Sequence, residues 1–349
     1  MLPLSFARLQ VNLNSPPMKK IILLAVFGLT LTTAYPWGNP GHMAVAAFAY
    51  DQLTPAERTK IVALIKKHPD LAPIYHNFQG AKPTDRELFM ALATWPDMIR
   101  DDNHYSVDPK DPYELNLPAV GKVDYTKNGK HQGWHFQDTY FWRGPGPRTP
   151  LPQSPAVNAV GVIKVLVAQL QTKESRKEKA YDLGWLFHLV GDIHQPLHAV
   201  SAVTVNLPGG DHGGNWVHLS KVPGESELHA LWDHLPGKAA SPDQTTHQWH
   251  LEADVKTADT FVATLNDVLL GSEADNLDPA AWAAESLAIA KRDVYNFDSE
   301  VAGKPNPAGD PHVIVTLPVG YRETALIDAQ ARVKLAGHRL ALILKQIAK

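Results

Sequence analysis

The sequence of 349 residues contains no cysteine, which excludes disulfide bonds and thiolate metal sites. It also lacks an excess of basic residues, because 33 Lys and Arg stand against 36 Asp and Glu. This balance argues against an extended basic surface for duplex nucleic acid, since such binding depends on many Lys and Arg contacts to phosphate. We find no internal repeat and no low-complexity tract.

Long apolar segments are also missing, apart from residues 21–31 near the start of the chain. This run follows the basic stretch Met18-Lys19-Lys20 and precedes small residues, an order that is typical of a secretory signal. About a dozen residues are too few to span a bilayer comfortably. A buried first helix is the alternative interpretation of this run.

We therefore expect residues 1–36 to be a signal peptide and processed leader, with Met18 as an alternative start. Removal of the leader takes away three basic residues and no acid, so the formal charge changes from −3 to −6. The mature protein, residues 37–349, is expected to be exported to the periplasm or outside the cell and to have no membrane association.

Patterns typical of strands are few and short, chiefly at residues 313–317, whereas helical patterns dominate. Thr54, Pro55 and Glu57 combine an N-cap, a proline at the first helical position and a capping glutamate. We predict an all-α fold, a single large helical domain with long loops and little strand. Besides the helix that starts at Thr54, the predicted helices cover residues 42–53, 84–100, 154–171, 177–198, 225–234, 249–270, 279–297 and 320–348.

Seventeen histidines are present, and the densest group lies in the run FHLVGDIHQPLH at residues 187–198. His188 and Asp192 are four residues apart on a predicted helix, so their side chains project from one face. Imidazole nitrogen and carboxylate oxygen at that separation can bind one ion, and zinc suits such ligands. His198 follows directly after Pro196, where the helix must distort or end.

A second pair, His229 and Asp233, repeats this spacing in the stretch ELHALWD. One such pair alone is more typical of a solvated helix face, but two pairs in one chain favour a metal site. Two further stretches combine the same residue types, WPDMIR at 95–100 and WHFQD at 134–138. Taken singly, these two stretches are better explained by a helix-end ion pair and by a buried, hydrogen-bonded histidine.

These motifs occur in a fixed order along the chain, together with Trp37, His42 and the stretch GGDHGGN at 209–215. The series resembles the zinc-dependent single-strand-specific nuclease family of fungi, plants and bacteria, which shares its fold with bacterial zinc phospholipases C. The motifs that carry the resemblance span residues 37–233. Over the rest of the chain, only the length and the helical character are compatible with the family.

The resemblance implies three Zn²⁺ ions. Asp97, His135, His188 and Asp192 would hold the first ion, and His198, His229 and Asp233 the second. The α-amino nitrogen and carbonyl oxygen of a mature N-terminal Trp37, His42, and Asp192 as a bridge would hold the third. Cleavage after Ala34 instead of Pro36 would leave two residues ahead of Trp37, and the third site would then lack its amine.

The resemblance also implies roles for residues near the ligands. Arg100 would clamp a phosphate oxygen or neutralise the leaving group, or it would form an ion pair with Asp138. Asp138 would deprotonate or orient the attacking water, or support a ligand. Phe136 would stack on a base, or pack in the core. Asp211 and Asn215 would hydrogen-bond a base edge, or stabilise a tight turn.

The expected function is hydrolysis of single-stranded DNA and RNA by a monomer, with mono- and oligonucleotides as substrates and an additional 3′-nucleotidase activity. A zinc-dependent phospholipase C is the alternative enzyme, although Asp233, in a position where phospholipases carry Glu, favours the nuclease. A zinc-storage protein is the alternative outside catalysis. Storage would not require Arg100 and Asp138 beside the ligands.

Overall fold

The computed structural model describes residues 37–79, 81–100, 105, 130–148, 150–172, 175–243, 248–298, 300–303 and 311–349. Helices account for 53% of the described residues and strands for 7%, so the prediction of an all-α fold is confirmed. The described residues form one compact unit. The predicted leader, residues 1–36, lies outside the described residues and stays a prediction.

The described residues form eleven α-helices and five short strands. In chain order the helices are α1 (Asn39–Asp51), α2 (Pro55–Ile65), α3 (Leu71–His76), α4 (Asp85–Leu92), α5 (Trp95–Met98), α6 (Ala159–Leu170), α7 (Arg176–His194), α8 (Leu228–Asp233), α9 (Leu251–Ala263), α10 (Pro279–Ile289) and α11 (Tyr321–Ile347). The strands are β1 (Thr139–Trp142), β2 (Val200–Val203), β3 (Val217–Leu219), β4 (Glu300–Ala302) and β5 (Val313–Val315). Within the described ranges, no helix is both long and apolar enough to cross a membrane.

Helix α7 is the central element of the fold. All residues from 180 to 194 are buried, because α7 packs against α2, α6, α10 and α11 on its several sides. A helix that is apolar or enclosed on every side belongs in the interior of a domain. Helix α1 lies beside it and packs against α4, α9 and α11, so the two buried helices together form the frame of the core.

Local sequence signals explain where several helices begin. Thr54, Thr84 and Ser175 each form a complete capping box with a glutamate three residues later. The side-chain oxygen and the glutamate satisfy two backbone N–H groups that a helix N-terminus otherwise leaves without a partner. The predicted cap and proline at the start of α2 are thus confirmed.

Two predicted helices are shorter than expected because of proline. The predicted helix 84–100 divides into α4 and α5 at Thr94, since Pro96 has no N–H to continue the ladder. Helix α7 likewise ends at His194 rather than at residue 198, and a 3-10 helix, Pro196–Ala199, follows it. Both breaks occur beside predicted ligands. The chain changes direction next to Asp97 in the first case and next to His198 in the second.

A buried ion network joins α7 to α10 and α11. Arg332 Nε donates to the carbonyl oxygen of His194 at 3.0 Å, and Arg332 Nη1 donates to Glu285 at 2.7 Å. Arg339 donates to Glu285 at 2.7 Å and to His194 Nε2 at 2.9 Å. We refer to His194, Glu285, Arg332 and Arg339 as the arginine network. It holds the C-terminal end of α7 in place.

The strands form two small sheets. β1 and β2 pair in parallel, with Tyr140 opposite Ser201, and a second sheet has the order β3-β5-β4. The predicted strand at 313–317 is present as β5. β1 and β2 have no counterpart in the predictions, because four-residue strands pair through long-range backbone bonds that leave little alternation in the sequence.

Candidate metal centre

Six elements bring eight predicted ligands together. α7 presents His188 and Asp192 from one face, as the spacing of four residues predicts. The other elements are α1, α5, the 3-10 helix Gln132–His135, the 3-10 helix Pro196–Ala199 and α8. They carry His42, Asp97, His135, His198, His229 and Asp233.

The first cluster consists of His42, Asp97, His135, His188 and Asp192. Asp192 is at its centre: Oδ1 lies 3.2 Å from His42 Nε2, and Oδ2 lies 3.1 Å from His135 Nδ1 and 3.3 Å from His188 Nε2. Asp97 Oδ1 closes the group at 3.7 Å from His188 Nε2. Asp192 therefore contacts three histidines from three different elements.

The second cluster consists of His198, His229 and Asp233. His229 Nε2 lies 3.3 Å from Asp233 Oδ2, one helical turn along α8, and 3.1 Å from His198 Nε2. Two imidazoles and a carboxylate at these distances form a donor set that fits a divalent metal ion. His198 reaches this cluster because the chain leaves the axis of α7 at Pro196.

Hydrogen bonds on the outer side of the rings fix which nitrogen carries the proton. Nδ1 of His188, His198 and His229 lies 2.6–2.8 Å from the backbone carbonyl oxygens of Ala93, His135 and Gly213. A carbonyl oxygen only accepts, so each Nδ1 must be protonated and each Nε2 carries a lone pair toward the cluster. Such outer carbonyl bonds are typical of histidines that bind metals.

Burial keeps these histidines neutral. It lowers the pKa of His42, His135 and His198 well below the ordinary value, and it lowers the pKa of His229 to about 4. In the second cluster, two neutral imidazoles therefore direct lone pairs at each other across 3.1 Å. Two acceptors at that distance repel each other unless a cation lies between them.

Burial also opposes ionisation of the carboxylates. It raises the pKa of Asp97 to about 6 and raises the pKa of Asp192 and Asp233 well above the ordinary value. Asp97 Oδ2 is buried without a hydrogen-bond partner among the described residues. Buried carboxylates that lack matching donors are stable in ionised form only beside a cation. The donor set, the lone pairs and the carboxylates thus fit bound divalent metal ions.

A cavity of about 280 Å³ opens directly beside both clusters. Three ligands, His135, His198 and His229, form part of its wall. The other lining residues are Arg100, Gln132, Phe136, Asp138, Leu197, His212, Gly213 and Asn215. A ligand in the cavity would therefore contact the ligand histidines and, at the same time, Arg100, Phe136, Asp138 and Asn215.

Asp138 has a backbone conformation that is rare for a residue with a side chain. Its φ of +48° lies in the left-handed region, as do those of His131 and His212 around the same site. Burial, and to a lesser degree the nearby Asp211, raises the pKa of Asp138 to about 7. The strained turn directs a carboxyl group with a pKa near neutrality toward the cavity, a combination suited to proton transfer.

Arg100 lies at the mouth of the cavity, with 18% of its side chain exposed. Its Nη1 donates to Asp97 Oδ1 at 3.4 Å, one turn away along the chain. Its backbone oxygen accepts from Lys130 Nζ at 2.5 Å. The guanidinium thus borders both a predicted ligand and the cavity. Its role toward phosphate stays a prediction.

Asp211 and Asn215 occupy different environments in the loop between β2 and β3. Asp211 is buried behind the cavity wall, where it accepts from Ala202 N at 2.8 Å and from Tyr295 Oη at 2.6 Å. Asn215 lies at the cavity and donates to the carbonyl oxygen of His212 at 2.6 Å. The contacts of Asp211 stabilise the loop, whereas only Asn215 of the two lines the cavity.

Trp37, the first described residue, is fully buried. Its indole nitrogen donates to the carbonyl oxygen of Gly191 at 3.0 Å, next to Asp192 in the chain. A Cβ at Gly191 would lie 2.6 Å from His42 Nδ1, so only glycine allows His42 to approach α7. Residue 37 is thus anchored beside the first cluster. Whether its amine and carbonyl bind an ion stays a prediction.

Sequence reasoning missed Gln195, which lies inside the densest motif between Asp192 and His198. Its Nε2 donates to Asp233 Oδ1 at 2.8 Å, and its Oε1 accepts from Leu197 N at 2.6 Å. Gln195 thus orients a carboxylate of the second cluster and caps the following 3-10 helix. Its position between two predicted ligands was the available signal, but the motif does not show that the side chain is buried or where its amide points.

Comparison with known proteins agrees with this geometry. The model of the S1/P1 nuclease family matches residues 37–349. Endonuclease 4 of Arabidopsis thaliana is 27% identical over 320 residues, 89% of each chain, and Endonuclease 3 of that plant is 25% identical over 330 residues, 91% of this chain and 92% of that protein. Endonuclease 1 of that plant is 28% identical over 195 residues, 54% of this chain and 57% of its own length. The chain belongs to the S1/P1 nuclease family, a family of metal-dependent enzymes.

Proposed function

We propose that this protein is a zinc-dependent endonuclease that hydrolyses the phosphodiester bonds of single-stranded DNA and RNA, with 3′-nucleotidase activity. The first and second clusters would hold two Zn²⁺ ions, and Trp37, His42 and Asp192 would hold a third. One observation carries the proposal. The Nε2 lone pairs of His198 and His229 face each other beside a cavity. Their protons are committed to backbone carbonyls, so this arrangement calls for a cation.

The chemistry follows from which groups border the cavity. Bound zinc ions would lower the pKa of water and offset the negative charge that develops on phosphate. Arg100 can donate two parallel hydrogen bonds to a phosphate oxygen and the leaving oxygen from the mouth of the cavity. Asp138, with a pKa of about 7, accepts a proton from water or orients it by a hydrogen bond.

The preference for single strands rests on Phe136 and on the balance of charge. Phe136 lines the cavity beside Asn215, where an unpaired base can stack on the ring and bond to the amide. Bases in a duplex are not available for such stacking. A chain with more acidic than basic residues also offers duplex DNA few phosphate contacts outside the metal centre.

Export of the mature protein as a monomer completes the proposal. The apolar run at 21–31 supports a secretory signal, and the absence of cysteine is compatible with any compartment. A terminus at Trp37 would supply the amine of the third zinc site. N-terminal sequencing of protein recovered from the periplasm or culture medium checks both points together.

The test combines metal analysis with hydrolysis. Protein purified without chelators is expected to contain about three zinc ions per chain and to cleave labelled single strands in preference to the same sequence as a duplex. Chelation should abolish cleavage and added zinc should restore it. His229→Ala should lose zinc and activity. The matched control His338→Ala removes a histidine that pairs with Asp275 far from the cavity, and it should keep both.

Three outcomes would overturn the proposal. One is protein without bound zinc that still cleaves single strands after chelation. Another is a zinc-loaded protein that cleaves phosphatidylcholine and no nucleic acid, which would establish the phospholipase C alternative. The third is zinc binding without hydrolysis of either substrate, which is the behaviour of a storage protein.

A further inference from the structure

Strands β1 and β2 both lead away from the metal centre. β1 follows Asp138 directly, and β2 follows His198 and the end of the 3-10 helix. The backbone pairing starts at the centre, where Gln137 N donates to the oxygen of His198 at 2.8 Å. At about 3.3 Å per residue, Trp142 lies about 13 Å along the chain from Asp138. The sheet therefore connects the cavity with a more distant surface.

The two faces of β1 differ in their surroundings. Phe141 is 6% exposed and packs edge-on against Tyr295, with ring centroids 5.4 Å apart. Tyr140 and Trp142 point to the opposite face, since side chains alternate along a strand, and both are half-buried. One face of β1 thus carries two half-buried aromatic rings, and the strand that bears them begins directly after the cavity residue Asp138.

Tyr140 lies against the loop that also forms the cavity wall. A Cβ at Gly210 would approach its ring to 2.8 Å, so the loop backbone packs directly on the tyrosine. Within the described ranges the Tyr140 hydroxyl forms no hydrogen bond. The same loop continues to His212 and Asn215 of the cavity. Tyr140 therefore packs on the loop that continues to the cavity wall, and its hydroxyl is a free donor and acceptor.

Trp142 and Arg148 form a second pair on this face. The Arg148 guanidinium lies 5.3 Å from the centre of the indole ring, and its Nη2 donates to the carbonyl oxygen of Pro208 at 3.2 Å. The indole nitrogen of Trp142 donates to the oxygen of Gly146 at 2.6 Å, which holds the ring in place. Among the described residues Arg148 has no carboxylate partner. A fixed aromatic ring thus lies beside an uncompensated positive charge.

We propose that Tyr140, Trp142 and Arg148, the β1 face, bind a second nucleotide of a single strand whose scissile phosphate lies at the metal centre. This inference rests on the proposed nuclease function and extends it. A cavity of about 280 Å³ has room for one nucleotide, so its neighbours must lie outside it. An aromatic ring accepts any unpaired base by stacking, and Arg148 offers phosphate the bidentate contact that guanidinium favours.

Hydrolysis of two substrates separates this proposal from the function itself. Bis(4-nitrophenyl) phosphate offers a phosphodiester without flanking nucleotides, whereas an oligothymidylate of about ten nucleotides reaches beyond the cavity. Trp142→Ala is expected to raise KM for the oligonucleotide about tenfold, since stacking on one aromatic residue contributes roughly that much. Its kinetics on the small diester should remain those of the wild type, which also shows that the variant is folded.

Salt dependence separates the two kinds of contact. Arg148→Gln should reduce the slope of log affinity against log salt by about 0.7, because one phosphate contact on a single strand is lost. Trp142→Ala should leave this slope unchanged, and Trp142→Phe should restore most of the affinity. Arg322→Gln, which removes an exposed charge on α11, is the matched control and should change neither slope nor KM.

The outcomes are distinguishable. If the wild type cleaves neither substrate, the nuclease proposal fails and the β1 face fails with it. If the wild type cleaves both and the β1 variants alter both substrates equally, the residues support the fold and the second nucleotide site is refuted. Oligonucleotide kinetics and salt slope at wild-type values in every variant would refute it as well.

Discussion

The metal centre and the arginine network are two buried groups of charged and polar residues on the same helix. Asp192 belongs to the first cluster and His194, two residues later on α7, to the arginine network. In the network, donors meet acceptors: two guanidinium groups face one carboxylate, one imidazole and backbone carbonyls. In the clusters, acceptors meet acceptors, with imidazole lone pairs and carboxylate oxygens directed at one another.

This difference distinguishes buried charged groups that stabilise the fold from buried polar groups that are arranged to bind a cation. Burial of ionisable groups is common to both regions and therefore identifies neither as a site. In the network every guanidinium nitrogen except Arg339 Nε meets an acceptor, so the network needs no bound ion. A set of mutually repelling acceptors, by contrast, requires a cation. The following predictions test that contrast, starting with the change that should have the largest effect.

Replacement of the shared carboxylate should abolish catalysis without unfolding the protein. Asp192→Asn is expected to lower kcat/KM on single-stranded DNA more than about a thousandfold, because three histidines lose their common partner; loss of an outer partner alone costs 10–100-fold. Zinc content, measured by elemental analysis, should fall in parallel. Full zinc content together with wild-type activity would contradict the assignment of Asp192 as a central ligand.

Replacement of the network carboxylate should lower the stability of the protein and leave catalysis unchanged. Glu285→Gln leaves two buried arginines without their carboxylate, and removal of one partner of a buried pair costs about 3 kcal/mol or more of unfolding free energy. Urea denaturation measures this loss. Zinc content and kcat of the folded fraction should stay at wild-type values. A variant with normal stability but little zinc would erase the distinction between the two regions.

Chelation should destabilise the metal centre and spare the network. With free zinc at about a hundred times its Kd, binding stabilises the folded state by about 2.7 kcal/mol per site. Removal of zinc should therefore lower the unfolding free energy of the wild type and of Glu285→Gln by similar amounts. For Asp192→Asn the loss should be clearly smaller, and an equal loss in all three proteins would place the bound ions elsewhere.

The smallest effect is expected at Gln195, which supports the second cluster from outside. Gln195→Ala removes the hydrogen bond to Asp233 Oδ1 and should weaken zinc binding there by about tenfold, within the range for outer partners. Competition with a chromogenic chelator measures this affinity. Gln195→Glu is the sharper test. The added carboxylate would repel Asp233 in the zinc-free protein, and bound zinc would relieve this repulsion.

Short-range spacing predicted much of the site. His188 with Asp192 and His229 with Asp233 lie together because residues four apart share one helix face, and that geometry needs no tertiary information. The capping box at Thr54 was equally predictable. The order of the motifs predicted the family, which the family model confirms, and through it the remaining predicted ligands.

Long-range relations were not predictable from spacing. His42 stacks on His188 with ring centroids 3.9 Å apart, although 146 residues separate them, and only the packing of α1 on α7 brings them together. The arginine network depends on the register of α11 against α10. In the sequence, its arginines and glutamate look like the charged residues that are common on helix surfaces. The burial of Asp211 also depends on a tertiary contact, its hydrogen bond with Tyr295, which lies 84 residues later in the chain.

The break of α7 at Pro196 has a consequence for how this chain can vary. His188 and Asp192 supply the first cluster and His198 the second, so ten residues of backbone set the separation of the two clusters. One inserted residue within α7 would rotate every later side chain by about 100° and remove Asp192 or His198 from its partners. Length changes should therefore be absent between residues 188 and 198 in functional relatives.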